Sequence, residues 1–305
     1  MNVSIIIVNY NTKELTRNCL KSVFEQTKSI SFEVIVSDNG SEDGSIEMIK
    51  SEFPQVILIE NNANLGFGAA NNRGLKIAKG KYIFFLNSDT LLLNNAVKIF
   101  FDYWETSPEK EKIGALGCNL VDKDGKSIHS YAVYPSFLNI FHTFFRSCLS
   151  SSFGWIKKYI QKNETVRKQS LIFIDRKING YITGADLFVK KSEDLEFDER
   201  FFMYFEETDL QFNLFYRNKL NSFVLGAASI LHFEGASDDF QKPINYSFGK
   251  KSSIFYWISC IKYFRKNLPN HNFQIGILKF FILLIWIFPG NIKKTFSYIK
   301  ELISA

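Results

Sequence analysis

The sequence predicts an α/β fold in which a mostly parallel central sheet is flanked by helices. Two observations lead to this prediction. Short apolar, β-branched runs alternate with longer segments of helical periodicity four times before residue 90, which is the pattern of a parallel sheet with helices on its faces. Each of these runs also ends in a cluster of polar residues, as strands do when their carboxyl ends line a ligand cleft.

The first half of the chain divides into four strands and the helices between them. The first helix is predicted to run to about Gln26, with Asn11 or Thr12 as its N-cap. A short helix from Ser45 follows the second strand, and another helix continues through Ala78. The predicted strands are Val3–Val8, Phe32–Val36, Val56–Ile59 and Tyr82–Leu86.

Polar clusters follow all four predicted strands, and parallel strands place their carboxyl ends at one edge of a sheet. The clusters are Asn9–Asn11, Asp38–Ser41, Asn61–Asn64 and Asn87–Asp89. Asp89 follows a wholly apolar run, and a carboxylate there can hold a hard divalent cation, which in turn holds a diphosphate. Asp38 can accept hydrogen bonds from a base or a ribose. The alternative for each cluster is an ordinary turn, and close backbone packing explains Gly66-Phe67-Gly68 equally well.

The second half carries a second group of candidate residues. Glu206, Glu207 and Asp209 lead into a helix predicted to continue to about Asn218. Acidic residues suit the first turn of a helix, but three in four positions exceed what a cap needs. His232 ends a later apolar run. A lone histidine at the end of a strand is more often a hydrogen-bonded structural residue than a ligand. Further apolar runs are predicted at Ile113–Cys118 and Tyr181–Val189, and a turn is predicted at Asp122–Lys126.

Composition narrows the class of protein. The chain has 305 residues, with 37 Lys and Arg, 31 Asp and Glu, and a formal net charge of +6. This basic excess suits anionic ligands or an anionic membrane surface and is too small to predict nucleic-acid binding. The four cysteines are widely spaced, which predicts reduced thiols in a cytosolic protein. No signal peptide is predicted at the N-terminus, so we expect a cytoplasmic protein.

The C-terminal part changes character. Residues 251–305 are rich in aromatic and basic residues, and Ile275–Phe288 is almost wholly apolar. That run is shorter than the about 20 residues needed to cross a bilayer. We expect a helix lying in the plane of the membrane surface, with Lys293 and Lys294 near the anionic lipids. The alternative is a helix packed on the catalytic domain or on a second subunit, as in a homodimer.

Four motifs, in this order, resemble family 2 glycosyltransferases of the GT-A fold, in particular the rhamnosyltransferase-like branch of bacterial surface polysaccharide synthesis. The motifs are Ser4–Asn11, Asp38–Ser45, Asn62–Gly74 and Leu86–Asp89. The resemblance implies the nucleotide-diphospho-sugar transferase fold, with residues 1–250 as the catalytic domain and 251–305 as a C-terminal helical segment. Within the domain, residues to about 120 would bind the nucleotide sugar, and residues 121–250 would bind the acceptor.

The resemblance also implies the donor-binding residues. Asp38 would contact the nucleotide base. Asn87-Ser88-Asp89 would be the metal-binding element, with Asn87 departing from the acidic pattern, so that Asp89 is the principal carboxylate ligand. His232 would be the second protein ligand, and the cation would be Mn²⁺ or Mg²⁺. The complete donor-binding set is Asn9, Asn11, Asp38, Asn39, Ser41, Asn64, Gly66, Asn72, Asn87 and Asp89.

Glu207 matches the catalytic base of the family, with Glu in place of Asp. Glu206 is the rival, because adjacent helix residues point about 100° apart and only one can face the acceptor. The acceptor candidates are Gly184, Ala185, Asp186 and Asp209.

The predicted activity is inverting, metal-dependent transfer of a sugar. The donor would be dTDP-rhamnose or a UDP-sugar, and the acceptor a lipid-linked glycan or an oligosaccharide at the inner face of the cell membrane. Two alternatives remain open. One is a nucleotidyltransferase that makes sugar nucleotides, although Asn9–Lys13 lacks the Gly-rich loop of such enzymes. The other is a catalytically degenerate glycosyltransferase that serves as a partner subunit.

Overall fold

The computed structural model describes residues 1–143, 174–233, 251–287 and 302. These residues form two compact units. The first unit contains residues 1–134, 174–200 and 206–233, and the second contains residues 135–143, 201–205, 251–287 and 302. The predicted domain boundary at residue 250 remains a prediction, because residues 234–250 lie outside the described ranges. Phe288, Lys293 and Lys294 lie outside them as well.

A nine-stranded sheet lies at the centre of the described part of the first unit. A separate two-stranded ribbon pairs Tyr131–Ala132 with Tyr181–Ile182. The strands in chain order are β1 (Val3–Asn9), β2 (Phe32–Asp38), β3 (Ile57–Glu60), β4 (Tyr82–Asn87), β5 (Thr90–Leu92), β6 (Ile113–Val121), β7 (Tyr131–Ala132), β8 (Arg176–Ile178), β9 (Tyr181–Ile182), β10 (Asp186–Lys190) and β11 (Asn221–His232).

The strand directions bring the polar clusters to one edge of the sheet. The order is β3-β2-β1-β4-β10-β6-β11-β5, with β8 beside β11. The first four strands in this order are mutually parallel, and β11 is parallel to β6. β10 is antiparallel to both β4 and β6. The carboxyl ends of the parallel strands and the amino end of β10 therefore share one edge, and the predicted mostly parallel α/β fold is confirmed.

The continuous strand predicted over Tyr181–Val189 is divided in the structure. Its first residues form β9 in the small ribbon, and its last residues form β10 in the main sheet. Thr183–Ala185 connect the two strands, so this segment passes from one sheet to the other at the polar edge.

Helices cover both faces of the sheet. They are α1 (Lys13–Gln26), α2 (Ser45–Glu52), α3 (Phe67–Ile77), α4 (Ala96–Thr106) and α5 (Glu206–Gln211), with a short 3₁₀ turn at Lys110–Lys112. Thr12 is the N-cap residue of α1, as one of the two predicted alternatives, but its side chain makes no capping hydrogen bond. The Lys13 N–H instead donates to Oδ2 of Asp43 at 2.8 Å. α5 is shorter than predicted and continues directly into a π-helical turn at Phe212–Tyr216.

Strands β1, β4 and β6 are buried on both faces, as their continuous apolar sequences predict. Ile5 and Ile7 of β1 pack in a core cluster with residues of α1 and α4. Ile6 points to the opposite face and packs in a cluster that includes Leu75 of α3. A Cβ added at Gly74 would lie 2.7 Å from Cγ2 of Ile6. The absence of a side chain at residue 74 therefore allows α3 to approach the sheet closely.

The second unit is helical in its described residues. Helices α6 (Lys251–Asn267) and α7 (Asn272–Ile287) are joined through a 3₁₀ turn, Pro269–His271. The segment 201–205 packs on α6, where Oγ of Ser259 donates to the carbonyl of Met203 at 2.8 Å. None of the helices in the described ranges is long and apolar enough to span a membrane.

Candidate functional site

The carboxyl ends of β1 and β2 are joined by a hydrogen-bond network around Asp38. Nδ2 of Asn9 donates to Oδ2 of Asp38 at 2.6 Å and to Oγ of Ser41 at 3.0 Å. Oδ1 of Asp38 accepts the N–H groups of Gly40 at 3.0 Å and Ser41 at 2.8 Å. Asp38 is buried and held by three donors, yet a carboxylate can accept about four hydrogen bonds. The network therefore leaves capacity for one ligand donor, as contact with a base would require.

The loops after β2 and β3 are held together by asparagine side chains. Nδ2 of Asn39 donates to the carbonyl of Gly66 at 3.2 Å and to Oδ1 of Asn64 at 3.4 Å. The same Oδ1 accepts the N–H of Gly66 at 3.0 Å. On the other side of Asp38, the N–H of Asn11 donates to Oγ of Ser41 at 2.9 Å. Since the N–H of Asn39 also donates to the carbonyl of Asn9 at 2.8 Å, five further predicted donor-binding residues belong to one hydrogen-bonded network with Asn9 and Asp38.

Asn72 makes a different set of contacts. Its Oδ1 accepts the N–H of Phe197 at 2.9 Å, and its Nδ2 donates to the carbonyl of Phe197 at 2.9 Å and to Glu199 at 3.1 Å. These bonds clamp α3 to the segment that precedes α5. They give Asn72 a positioning role, while its predicted contact with the donor remains a prediction.

The turn after β4 places Asp89 beside His232. Oδ1 of Asp89 lies 3.2 Å from Nε2 of His232, and the two side chains are 16% and 13% exposed. Nδ2 of Asn87 lies 3.5 Å from the same nitrogen. The arrangement depends on β5, which pairs with the end of β11 and sets Thr90 opposite His232. The N–H of Phe233 also donates to the carbonyl of Asp89 at 2.9 Å.

Asp89 and His232 have the chemistry and spacing of two ligands to one divalent cation. Adjacent ligands at about 2.1 Å from an octahedral Mg²⁺ lie about 3.0 Å apart, close to the observed separation of 3.2 Å. A carboxylate with an imidazole also suits Mn²⁺. Within the described ranges, no cluster of three or more His, Cys, Asp or Glu residues could hold a metal. The remaining ligands would therefore be oxygens of the substrate or water.

Hydroxyl groups connect the Asp89 turn to the Asp38 network. Oγ1 of Thr12 donates to Oδ1 of Asn9 at 2.8 Å and lies 3.1 Å from Oγ of Ser88. Oγ1 of Thr16 donates to the same oxygen of Asn9 at 2.7 Å. Sequence reasoning missed this role of the two threonines. The available signal was a pair of hydroxyls four residues apart at the start of α1.

Glu206 and Glu207 point to different surroundings. Glu206 is 4% exposed, and its Cβ would lie 3.5 Å from a Cβ added at Gly68. Its Oε2 has no hydrogen-bond partner among the described residues. Burial, and then the charge of Glu207, raise the pKa of Glu206 well above its ordinary value.

Glu207 lies beside the acceptor-side segment instead. A Cβ added at Gly184 would lie 3.9 Å from the Cβ of Glu207 and 3.3 Å from the ring of Phe67. Burial raises the pKa of Glu207, while hydrogen bonds from backbone N–H groups of Glu207 and Thr208 oppose the rise. The Cβ atoms of the two neighbouring glutamates thus lie next to α3 and next to Gly184 respectively.

The other acceptor candidates surround this contact. The carbonyl of Ala185 accepts the N–H of Asn87 at 3.2 Å, which ties the acceptor-side segment to the Asp89 turn. Asp186 is buried, its Oδ2 accepts the N–H of Cys118 at 2.7 Å, and burial raises its pKa to about 7. Asp209 is also buried and accepts Nδ2 of Asn213 at 3.1 Å. Acceptor contacts by these residues remain predictions.

Residues 4–115 match the sequence profile of the glycosyl transferase family 2. This segment is therefore similar to the glycosyl transferase family 2. This match covers the Asp38 and Asp89 turns and ends before Gly184, Glu207 and His232. The roles proposed for those three residues therefore depend on the geometry described above. Assignment to the rhamnosyltransferase-like branch remains a prediction.

Curated relatives of this segment include proteins named as glycosyltransferases. The chain is 33% identical over 121 residues to a poly(ribitol-phosphate) beta-glucosyltransferase of Bacillus spizizenii, which covers 38% of this chain and 19% of that protein. It is 38% identical over 120 residues to the Escherichia coli UDP-Glc:alpha-D-GlcNAc-diphosphoundecaprenol beta-1,3-glucosyltransferase WfaP, covering 36% and 47% respectively. The aligned segment thus spans less than half of each relative.

Solved structures show the same fold. The mannosyltransferase PcManGT of Pyrobaculum calidifontis, in complex with GDP-Man and Mn²⁺, aligns with a TM-score of 0.52 at 14% identity, over 99% of this chain and 73% of that one. Staphylococcus aureus TarS 1–349 with UDP-GlcNAc aligns with a TM-score of 0.51 at 15% identity, over 97% and 75%. The GT-A fold implied by the sequence motifs is thereby confirmed.

Proposed function

We propose that this chain transfers a sugar, with inversion, from a nucleoside diphosphate sugar to a hydroxyl of a lipid-linked or oligosaccharide acceptor. The observation that carries the proposal is a continuous path of contacts across the polar edge of the sheet. Asp89 lies beside His232, Asn87 bonds to Ala185, and Gly184 lies next to Glu207. A metal-and-diphosphate position and a carboxylate base therefore flank one short segment, as transfer between two bound substrates requires.

Glu207 is the proposed general base. It would accept the proton of the acceptor hydroxyl as that oxygen forms a bond to the anomeric carbon, while the bond from that carbon to the diphosphate oxygen breaks. A single displacement inverts the anomeric centre and needs no covalent intermediate. The raised pKa of Glu207 makes it a stronger base than an exposed glutamate, which favours proton transfer near neutral pH.

Asp89 and His232 would hold a divalent cation, with Asn87 beside them. When bound, such a cation neutralises the developing negative charge of the leaving diphosphate. The role of the chain is to fix the two ligands before the donor arrives. The pairing of β5 with β11 and the Ser88 hydroxyl contact do so through backbone and side-chain bonds.

The similar proteins support the substrate classes. The name of WfaP specifies a UDP-Glc donor and a diphosphoundecaprenol-linked acceptor, and the solved relatives hold UDP-GlcNAc, or GDP-Man with Mn²⁺. For this chain we propose a UDP-sugar or dTDP-rhamnose as donor, Mn²⁺ or Mg²⁺ as cofactor, and a glycan of the bacterial surface as acceptor.

The charge of the second unit supports contact with the cytoplasmic membrane surface. Its described residues include five Lys or Arg and no Asp or Glu. On α7, Phe273 and Phe280 are 79% and 59% exposed. Exposed aromatic rings with a wholly basic set of charges suit an anionic lipid surface. We therefore propose peripheral attachment at the inner face, with a homodimer contact as the alternative.

The test uses the full-length protein with UDP-Glc, UDP-GlcNAc, GDP-Man and dTDP-rhamnose, each with Mn²⁺ or EDTA. At least one nucleotide sugar is expected to raise the melting temperature only with the metal. Release of nucleoside diphosphate should follow addition of a polyprenyl-diphosphate-linked sugar acceptor. Absence of both effects across a broad panel would reject the proposal.

Two further outcomes identify the rival functions. Donor binding without transfer to any acceptor would favour a degenerate partner subunit. Formation of a sugar nucleotide from a sugar 1-phosphate and a nucleoside triphosphate would favour the nucleotidyltransferase.

A further inference from the structure

A buried carboxamide joins the proposed base to the acceptor-side segment. Gln211 ends α5 and is fully buried. Its Oε1 accepts the N–H of Ile182 at 2.9 Å, and its Nε2 donates to the carbonyl of Ile182 at 2.7 Å. The same Nε2 donates to the carbonyl of Glu207 at 3.2 Å. One side chain thus uses both its donor and its acceptor groups on two backbone segments.

Ile182 lies in the small ribbon, opposite Tyr131 of β7. The next residue, Thr183, donates its N–H to the carbonyl of Ser130 at 3.1 Å. Gln211 binds Ile182 through one donor and one acceptor, as a residue of a neighbouring strand would. The segment that leads to Gly184 is therefore held by the ribbon on one side and by α5 on the other.

Both bonded segments end at the same contact. Gly184 lies two residues after Ile182, and Glu207 lies one helical turn before Gln211. Glu207 and Gly184 are themselves adjacent, as a Cβ at residue 184 would lie 3.9 Å from the Cβ of Glu207. The Gln211 side chain thus links the helix that carries the proposed base to the segment that leads to Gly184.

The helix changes its hydrogen-bond pattern immediately after Gln211. The π-helical turn begins at Phe212, and the N–H of Arg217 donates to the carbonyl of Phe212 at 3.1 Å. Such turns are rare and occur frequently at functional sites. Because α5 is only six residues long and does not continue as an α-helix, the side-chain hydrogen bonds of Gln211 at the end of α5 help to hold this helix in position.

We propose that Gln211 is a positioning residue that sets the distance and orientation of Glu207 relative to the acceptor hydroxyl. The inference rests on the proposed function, because it takes Glu207 as the base. Gln211 lies on the path of neither the donor network around Asp38 nor the Asp89–His232 pair. Its loss therefore affects transfer and leaves nucleotide binding intact.

The first variant is Gln211→Leu, which keeps a similar volume and removes all three bonds. We expect kcat for transfer to fall by about 10²-fold, the effect of a displacement of about 1 Å at a reacting group. The Kd for UDP or GDP with Mn²⁺ should stay within about two-fold of wild type. Asn218→Ala is the matched control, since it removes a side-chain bond to the carbonyl of Leu214 at an exposed position of the same segment.

The second variant, Gln211→Glu, separates positioning from simple loss of packing. A protonated carboxyl at this position can accept from the Ile182 N–H and donate to its carbonyl, whereas an ionised carboxylate cannot donate. Transfer by this variant, divided by wild-type transfer, should therefore decrease as the pH rises. Wild-type transfer should increase over the same range, because Glu207 must be ionised to act as a base.

Three results would overturn the proposal: wild-type kcat in Gln211→Leu, a Gln211→Glu profile parallel to wild type, or nucleotide affinity that falls as much as kcat. Hydrogen exchange gives a readout independent of any sugar. The amides of Ile182 and Thr183 should exchange faster in Gln211→Leu than in wild type or Asn218→Ala. Faster exchange in a chain that transfers no sugar would reject the proposed function but retain the link that Gln211 makes between the two segments. Unchanged exchange would reject that link itself.

Discussion

The pair Glu206 and Glu207 offers the sharpest test of the proposed chemistry. The two residues are adjacent on α5, but Glu206 is 4% exposed and packs near Gly68, whereas Glu207 adjoins Gly184. Changing each glutamate separately to glutamine preserves size and hydrogen-bonding shape while removing the ability to take up a proton. We predict that Glu207→Gln abolishes most transfer and that Glu206→Gln does not.

The expected loss follows from the role of the residue. Removing a general base costs about 10²–10⁴-fold in rate, so Glu207→Gln should lower kcat by at least about 10²-fold. This corresponds to about 2.7 kcal/mol added to the barrier. Donor affinity should remain, because the contacts of Asp38 and of Asp89 with His232 do not include Glu207.

Glu206→Gln should change stability instead of transfer. Burial raises the pKa of Glu206 in the folded protein, so the folded state binds its proton more tightly than the unfolded state does. The resulting stability is complete below the unfolded pKa, about 4.3, and is lost as the pH rises through the folded pKa. Glutamine cannot ionise, so Glu206→Gln should be more stable than wild type over this range, by a margin that grows as the pH rises.

The assays are steady-state transfer and thermal unfolding, each measured from about pH 4 to pH 8. Wild-type transfer should rise with pH along a limb set by the raised pKa of Glu207, and this limb should be absent from the residual activity of Glu207→Gln. If Glu206→Gln is the inactive variant and Glu207→Gln retains transfer, the base lies one position earlier and the reasoning from Gly184 is refuted. If both variants transfer normally, neither glutamate is the base.

Three further predictions test other parts of the chain. Asp89→Ala should abolish the Mn²⁺-dependent rise in melting temperature caused by UDP, and nucleotide binding that persists in EDTA would reject the metal role. The double variant Phe273→Asp, Phe280→Asp should bind less to vesicles of anionic lipid, as measured by co-sedimentation. Unchanged vesicle binding, or a change of oligomeric state instead, would favour the subunit contact. Gly74→Ala should lower the free energy of unfolding by about 1–3 kcal/mol, because the added methyl would lie 2.7 Å from Cγ2 of Ile6 in β1. In Gly276→Ala the added methyl meets nothing within 4 Å. This variant should therefore raise the free energy of unfolding by about 0.5–1 kcal/mol. Chemical denaturation of both variants would measure the difference.

The sequence alone determined the elements of the first half and the edge where polar residues gather. Apolar runs of strand length, helical periodicity and turn residues depend on neighbours along the chain, so they can be read without knowledge of the fold. The location of Asn9, Asp38 and Asp89 at one edge follows from a single further rule, that parallel strands end on the same side. The ordered motifs additionally pointed to the family whose sequence profile matches residues 4–115.

The tertiary structure decided which of these residues meet and which way their side chains point. β5 is three residues long and carries no clear periodicity, yet its pairing with β11 sets Asp89 beside His232. The insertion of β10 against β4 brings Ala185 to Asn87, and the docking of α5 turns Glu207, not Glu206, toward Gly184. These contacts join segments far apart in sequence. The stability of these contacts comes from strand pairing and packing with distant segments. The local sequence does not determine them, because a short strand can pair in several registers until the rest of the sheet is present.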